Sequence, residues 1–255
     1  GAGLADAREV TNRLRGLSGN DWLFPSAPSF GSPNTFSFND DIVINEIFYH
    51  APGIPGTAGI PSEDALQAFG DTWRFNESGD DLGTTWAASA HSVGGNWSSG
   101  PGALAYEPNG IPIALGTTLT QPNTNSPQVM TYYFEREFEL TQQQFDNLTG
   151  FTISHLVDDG AVFYINGVEV ERYRMAGAIG DPVLASIPAN AGGEAVLVGP
   201  VSVSSASAVV GTNRISVEVH QTSGTSSDVV FALELSADSG TPPIPFQEDD
   251  EEWIE

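Results

Sequence analysis

"VDDGAVFYINGVEVER", Val157 to Arg172, is the stretch on which the fold turns. Two aspartates, a glycine, an apolar run and Asn-Gly admit a metal loop, a catalytic pair or a hairpin. The alternation favours the hairpin. Val162 and Tyr164 take one face, and Ala161, Phe163 and Ile165 the other. Asn166-Gly167 is the pair preferred in a type I′ turn, and Val168 and Val170 begin the return strand. Asp158, Asp159 and Gly160 then stand at the hairpin entry, where a carboxylate can accept hydrogen bonds from turn amides and Gly can take positive φ. Calcium is the competing use of this pair, because aspartate side chains and backbone carbonyls are hard oxygen ligands.

Working outward, the same period of two recurs. In "MTYYFEREFEL" Tyr132, Phe134, Phe138 and Leu140 point inward, while Tyr133, Glu135, Glu137 and Glu139 point out. Arg136 falls in the inward series, which calls for an edge position or a carboxylate partner. "FTISHLV" offers Phe151, Ile153, His155 and Val157 to one side, "NRISVEVH" offers Ile215, Val217 and Val219, and "VVFALEL" offers Val229, Phe231, Leu233 and Leu235. Many short strands with Gly, Pro and Asn turns make an antiparallel sandwich or jelly roll. The helical exception is "TQQQFDNL", capped by Thr141. Residues 1–20 have an uneven helical pattern that Gly16 and Gly19 end, and "WLFPSAPSFGSPN" (22–34) is an extended, proline-rich connector. "DIVINEIFYH" (41–50) is apolar on both faces and reads as a buried strand.

The chain has 255 residues, 33 acidic against 8 basic, and a net charge of −25. All the basic residues are Arg. Such a charge repels nucleic acid and anionic membrane surfaces and favours cations. There is no Cys, which excludes disulfides and thiolate metal sites. No apolar run reaches the ~20 residues of a membrane-spanning helix. A start at Gly1 without Met reads as a mature form or an excised piece.

Among candidate sites, His220-Gln221 with Ser226, Ser227 and Asp228 suggests a Ser-His-Asp hydrolase, but the residues share one hairpin and lack a nucleophile elbow. The reading preferred is loop closure, with the serines bonding backbone and Asp228 capping. His50, His91, His155 and His220 show no zinc spacing, and His155 reads as a core residue. Trp73, Trp86 and Trp97 are either a platform for sugar stacking, with His220 as a further ligand-binding candidate, or covers of the sandwich core. The acidic run Asp71, Glu77, Asp80 and Asp81, interleaved with Gly79 and Gly83, joins Asp158 and Asp159 as a candidate calcium site.

Two resemblances rest on these motifs. "YYFEREFEL", "DDGAVFYINGVEVER", "NRISVEVHQTSGTSSDVVFALEL" and "WRFNESGDDLGTTW" resemble the galactose-binding-like jelly-roll domains of large secreted bacterial proteins. "IVINEIFYHAPG" and the terminal "EEWIE" resemble two strands of a lamin-tail domain, an immunoglobulin-like sandwich. The implied fold is all-β: a jelly-roll β-sandwich flanked by strands of a partial second, immunoglobulin-like sandwich. Residues 1–36 form an N-terminal segment and connector, 37–61 the first lamin-tail-like strand and a linker, 62–237 the jelly roll, and 238–255 a linker and the returning strand.

The expected function is a non-catalytic structural or adhesive module, extracellular or on the cell surface of a bacterium. The split outer strands, with Ile42, Ile44, Ile47, Phe48, Trp253 and Ile254, are expected to pair with other copies or with neighbouring domains of a longer protein, head to tail in a filament. The alternative is a carbohydrate-binding module stabilised by calcium. An enzyme is the weakest class, because no nucleophile or paired acid sits with a positioned base.

Overall fold

A computed structural model describes residues 16–18, 21–23, 47–49, 54–56, 61–124, 128–240, 244–247 and 252–254. The chain divides into two units, residues 56–245 and the flanking 1–55 with 246–255. In the flanking unit β1 (Gly16–Ser18) pairs with β2 (Asp21–Leu23) as a tight antiparallel ribbon, where the sequence suggested the end of a helix. β3 (Ile47–Tyr49) belongs to the same unit.

The larger unit holds β4 (Pro61–Gln67), β5 (Thr72–Asn76), β6 (Trp97–Pro101), β7 (Leu104–Tyr106), β8 (Thr117–Thr118), β9 (Thr131–Leu140) and β10 (Leu148–Asp158). It continues through β11 (Gly160–Ile165), β12 (Val168–Tyr173), β13 (Leu197–Val203), β14 (Gly211–His220) and β15 (Val229–Gly240). The chain ends on β16 (Glu252–Ile254), which returns to the flanking unit and pairs antiparallel with β3. That pairing supplies Ile47–Tyr49 with a partner strand from the same chain, the short acidic segment at residues 252–254. Ile42 and Ile44, the helical pattern before Gly16 and most of the proline connector lie outside the described residues.

Two six-stranded sheets build the sandwich. One runs β12-β11-β14-β9-β5-β6; the other runs β13-β10-β15-β7-β8, with β4 beside the far end of β15. From β9 to β11 and again from β12 to β15, successive strands alternate between the sheets, the winding of a jelly roll. The inner faces are those the alternation marked: Phe134, Phe151, Ile153, Phe163, Val217, Phe231 and Leu233 are fully buried between the sheets. Asn166 and Gly167 both have positive φ, 51° and 79°, as a type I′ turn requires. Thr141 caps a short helix, α1 (Gln142–Asp146), in a capping box with Gln144.

The outer faces depart from the period-two reading. Tyr133 and Glu135, expected in solvent, are buried. The segment around Trp86 and Trp97 folds over one sheet and packs on Tyr133 and Tyr164, while Ala103, Leu156, Val230 and Ala232 form a second apolar layer outside the other. Arg136 pairs with Asp71 at 3.2 Å, as an inward arginine must.

Candidate metal centre

The sheet order β10-β15-β7 brings three acidic residues to one end of three neighbouring strands. Asp158 is the last residue of β10, Asp228 immediately precedes β15, and Glu107 immediately follows β7. Asp158 pairs in register with Val230, and Ala105 pairs with Val230 from the other side, so these residues share the outer face of the sheet. One carboxylate oxygen from each of Glu107, Asp158 and Asp228 lies within 4.8 Å of the others.

The electrostatics are unfavourable as they stand. Asp158 is 3% exposed, and among the described residues no amide, hydroxyl or basic group donates to it. Burial first, then contact with Asp159 and the charges of Asp228 and Glu194, push its carboxyl up to about 8. Asp228 is raised to about 6 by burial and by Glu107, which it faces closely. Like charges gathered in a half-dry site cost free energy unless a proton or a cation joins them. Two oxygens bound to one calcium ion at about 2.4 Å can be at most about 4.8 Å apart, so the three carboxylates are near enough to share such an ion. Glu107, Asp158 and Asp228 would hold it, and it would supply the positive charge that the protein lacks there.

Asp159 does something else. Its Oδ2 accepts the Thr222 amide at 2.8 Å and the Thr222 hydroxyl at 2.9 Å, and its Oδ1 accepts the Gly193 amide at 3.2 Å. It fixes two loops distant in sequence rather than its own turn. Asp228 faces Glu107 instead of capping the 221–228 loop, which corrects that expectation. The other acidic run does not converge: Asp71 takes Arg136 and the Ala68 amide, Glu77 the Thr120 amide, Asp80 the Asn96 side chain and Asp81 the Gly83 amide. Each of these carboxylates has its own hydrogen-bond or ion-pair partner, some local and some distant in sequence.

The tryptophans do not form one platform. Trp73 is wholly buried between the sheets, edge-on to Phe231 with ring centroids 4.8 Å apart. Trp86 donates its indole N–H to Glu218 at 3.0 Å, and Trp97 stacks on His91 at 4.4 Å. His220 is buried, with Nδ1 2.8 Å from the Ile187 carbonyl, so it also offers nothing to an external ligand. What the alternation concealed is Glu135, fully buried, which accepts from Arg74 Nε at 2.9 Å and from the His91 amide at 2.7 Å, with His91 Nδ1 3.0 Å away. It clamps the covering segment to the sheet.

No family model matches the chain, and no curated protein matches it. Among solved structures, a β-glucuronidase from Ruminococcus gnavus in complex with C6-substituted uronic isofagomine aligns at 11% identity and a TM-score of 0.38, over 74% of this chain and 31% of that one. A β-glycosidase from Bacteroides vulgatus aligns at 13% identity and TM-score 0.34, over 68% and 20%. A β-glucuronidase from an uncultured Clostridium sp. aligns at 14% and 0.35, over 74% and 31%. The chain therefore spans less than a third of each of those proteins. Among the described residues no helix is long and apolar enough to cross a membrane.

Proposed function

We propose that this chain is a non-catalytic β-sandwich module of a secreted or surface protein, stabilised by one calcium ion bound through Glu107, Asp158 and Asp228. The observation that carries this reading is the triad itself: three carboxylates within 4.8 Å, one of them buried without a donor. A net charge of −25 adds long-range attraction for a divalent cation. The ion would tie the ends of β7, β10 and β15 together, so its role is mechanical. Its partners in this reading are neighbouring domains of a longer protein. Titration calorimetry with calcium tests the site, and thermal melts with calcium or chelator test its effect. One ion per chain and a melting temperature that rises with calcium support the reading; no binding at millimolar calcium removes it.

A second reading, glycan binding, is favoured by a different feature from the tryptophans. A cleft of about 340 Å³ opens beside the β11–β12 hairpin, lined by Tyr164, Thr84, Glu169 and Asp181. Glu169 is taken up by Arg172, which leaves the Tyr164 ring and the Asp181 carboxylate to suit a sugar's apolar face and a hydroxyl. Chemical-shift changes at Gly167 and Gly180 on adding neutral oligosaccharides would support it, and an unresponsive spectrum would dismiss it.

A further inference from the structure

We infer that Glu194 is the fourth carboxylate of this centre, delivered by a loop that Asp159 holds in place; the inference rests on the calcium reading above. The loop is anchored on both sides of Glu194. Gly193 donates its amide to Asp159, the residue next to Asp158, and its carbonyl accepts from Arg174 Nη1 at 3.0 Å. Ala195 packs into the apolar layer that contains Leu156 and Val230, the residues flanking Asp158 along its strand and across the sheet. Glu194 is thus pinned beside the triad from residue 193 and from residue 195.

Leu156, two residues before Asp158, pairs in register with Leu197, three residues after Glu194, so the loop runs beside the end of β10 while Glu194 stands outside the three carboxylates within 4.8 Å. Its own side chain is exposed, so nothing holds it away from an incoming ion. Asp158 is the independent sign of a ligand here, being 97% buried by its 3% exposure and aimed at Glu107 and Asp228 without a donor. Calcium takes 6–8 oxygens, so three carboxylates leave positions for a fourth. Asp158 and Asp159 then couple the two events: one binds the ion, the other, a positioning residue, holds the loop that completes its shell. Ion binding should therefore quieten residues 193–195.

The test measures calcium affinity of the full chain by calorimetry for the native sequence, Glu194→Gln and Asp158→Asn, with hydrogen exchange of residues 190–196 with and without calcium. We expect Glu194→Gln to weaken binding about tenfold with the stoichiometry unchanged, because an exposed loop residue leaves the fold intact. Calcium should slow exchange of the loop in the native sequence and much less in Glu194→Gln. If Glu194→Gln binds as tightly as the native chain while Asp158→Asn does not bind, the role of Glu194 is overturned and the triad stands. If the native chain does not bind calcium, both readings fall. Should Asp158→Asn fail to fold, Glu107→Gln at the half-buried third position replaces it in the comparison.

Discussion

Asp158 and Asp159 are consecutive in the chain, but their carboxylates serve different parts of the molecule. The first faces Glu107 and Asp228; the second receives the amides of Thr222 and Gly193. Two substitutions at adjacent positions should therefore behave oppositely.

Asp158→Asn should stabilise the chain without calcium and abolish the gain on adding it. The native carboxyl is raised to about 8 in the fold and sits near 3.8 when unfolded. A raised acid contributes fully below the unfolded value, and its stability is lost as pH climbs through the interval to the folded one. At pH 7.5 in chelator the asparagine, which mimics the protonated form, should gain up to about 5 kcal/mol, the linkage limit of that shift. Thermal melts in chelator and in calcium check both signs; a variant that is less stable in chelator contradicts the prediction.

Asp159→Ala should destabilise in either condition. It leaves the Thr222 amide and hydroxyl and the Gly193 amide without their acceptor, at a cost of about 2–3 kcal/mol. Amide exchange localises the effect. Faster exchange at Thr222 and Gly193, with the β11–β12 hairpin unchanged, is the expected pattern.

His155 governs acid lability. Burial, helped by the charge of Arg174, lowers its pKa from 6.5 to about 4, so the folded chain keeps it neutral against Phe163 and Tyr173. The unfolded chain binds the extra proton between those values, so stability falls as pH drops from 6.5 toward 4. The loss over that window is on the order of 3 kcal/mol. His155→Leu should flatten that part of the pH–stability curve, measured by urea melts at intervals of half a pH unit.

Gly167 tests the hairpin and the covering segment together. Positive φ alone costs a β-branched residue about 1–2 kcal/mol. A Cβ here would also meet the Ala88 Cα at 2.8 Å and the Ala87 carbonyl at 3.2 Å, both backbone. Gly167→Val should therefore cost roughly 3 kcal/mol or more. Gly167→Asn, which tolerates the turn but keeps the Cβ, should lose about half of that. An Asn variant as stable as the native chain would show that the contact with residues 87–88 is not made.

The inner faces and the Asn-Gly turn were legible because period two and turn chemistry are local signals. Phe151, Ile153, Val217 and Phe231 are where alternation puts them. Glu135 and Tyr133 were misread because alternation reports only that two faces differ. It does not report that the segment around Trp86 folds down over the second face. The tryptophans were ambiguous for the same reason, since a buried and an exposed indole leave the same mark on a sequence. The triad was half visible: Asp158 stood out beside Asp159, but its partners are Glu107 and Asp228. Those three meet only because β15 lies between β10 and β7, a neighbour relation that no local pattern carries.

Pro61 and Gly240 face each other across β4 and β15, so the sandwich enters and leaves at neighbouring points. The pairing of Ile47–Tyr49 with Glu252–Ile254 closes the chain around everything between them. With the sandwich folded, that closure spans only the short lengths outside Pro61 and Gly240. Were the sandwich unfolded, closing a flexible loop on the order of 200 residues would cost about 4–5 kcal/mol in chain entropy. The folded sandwich thus lowers the chain-entropy cost of the outer pairing, so melting the sandwich should loosen a ribbon to which it contributes no strand.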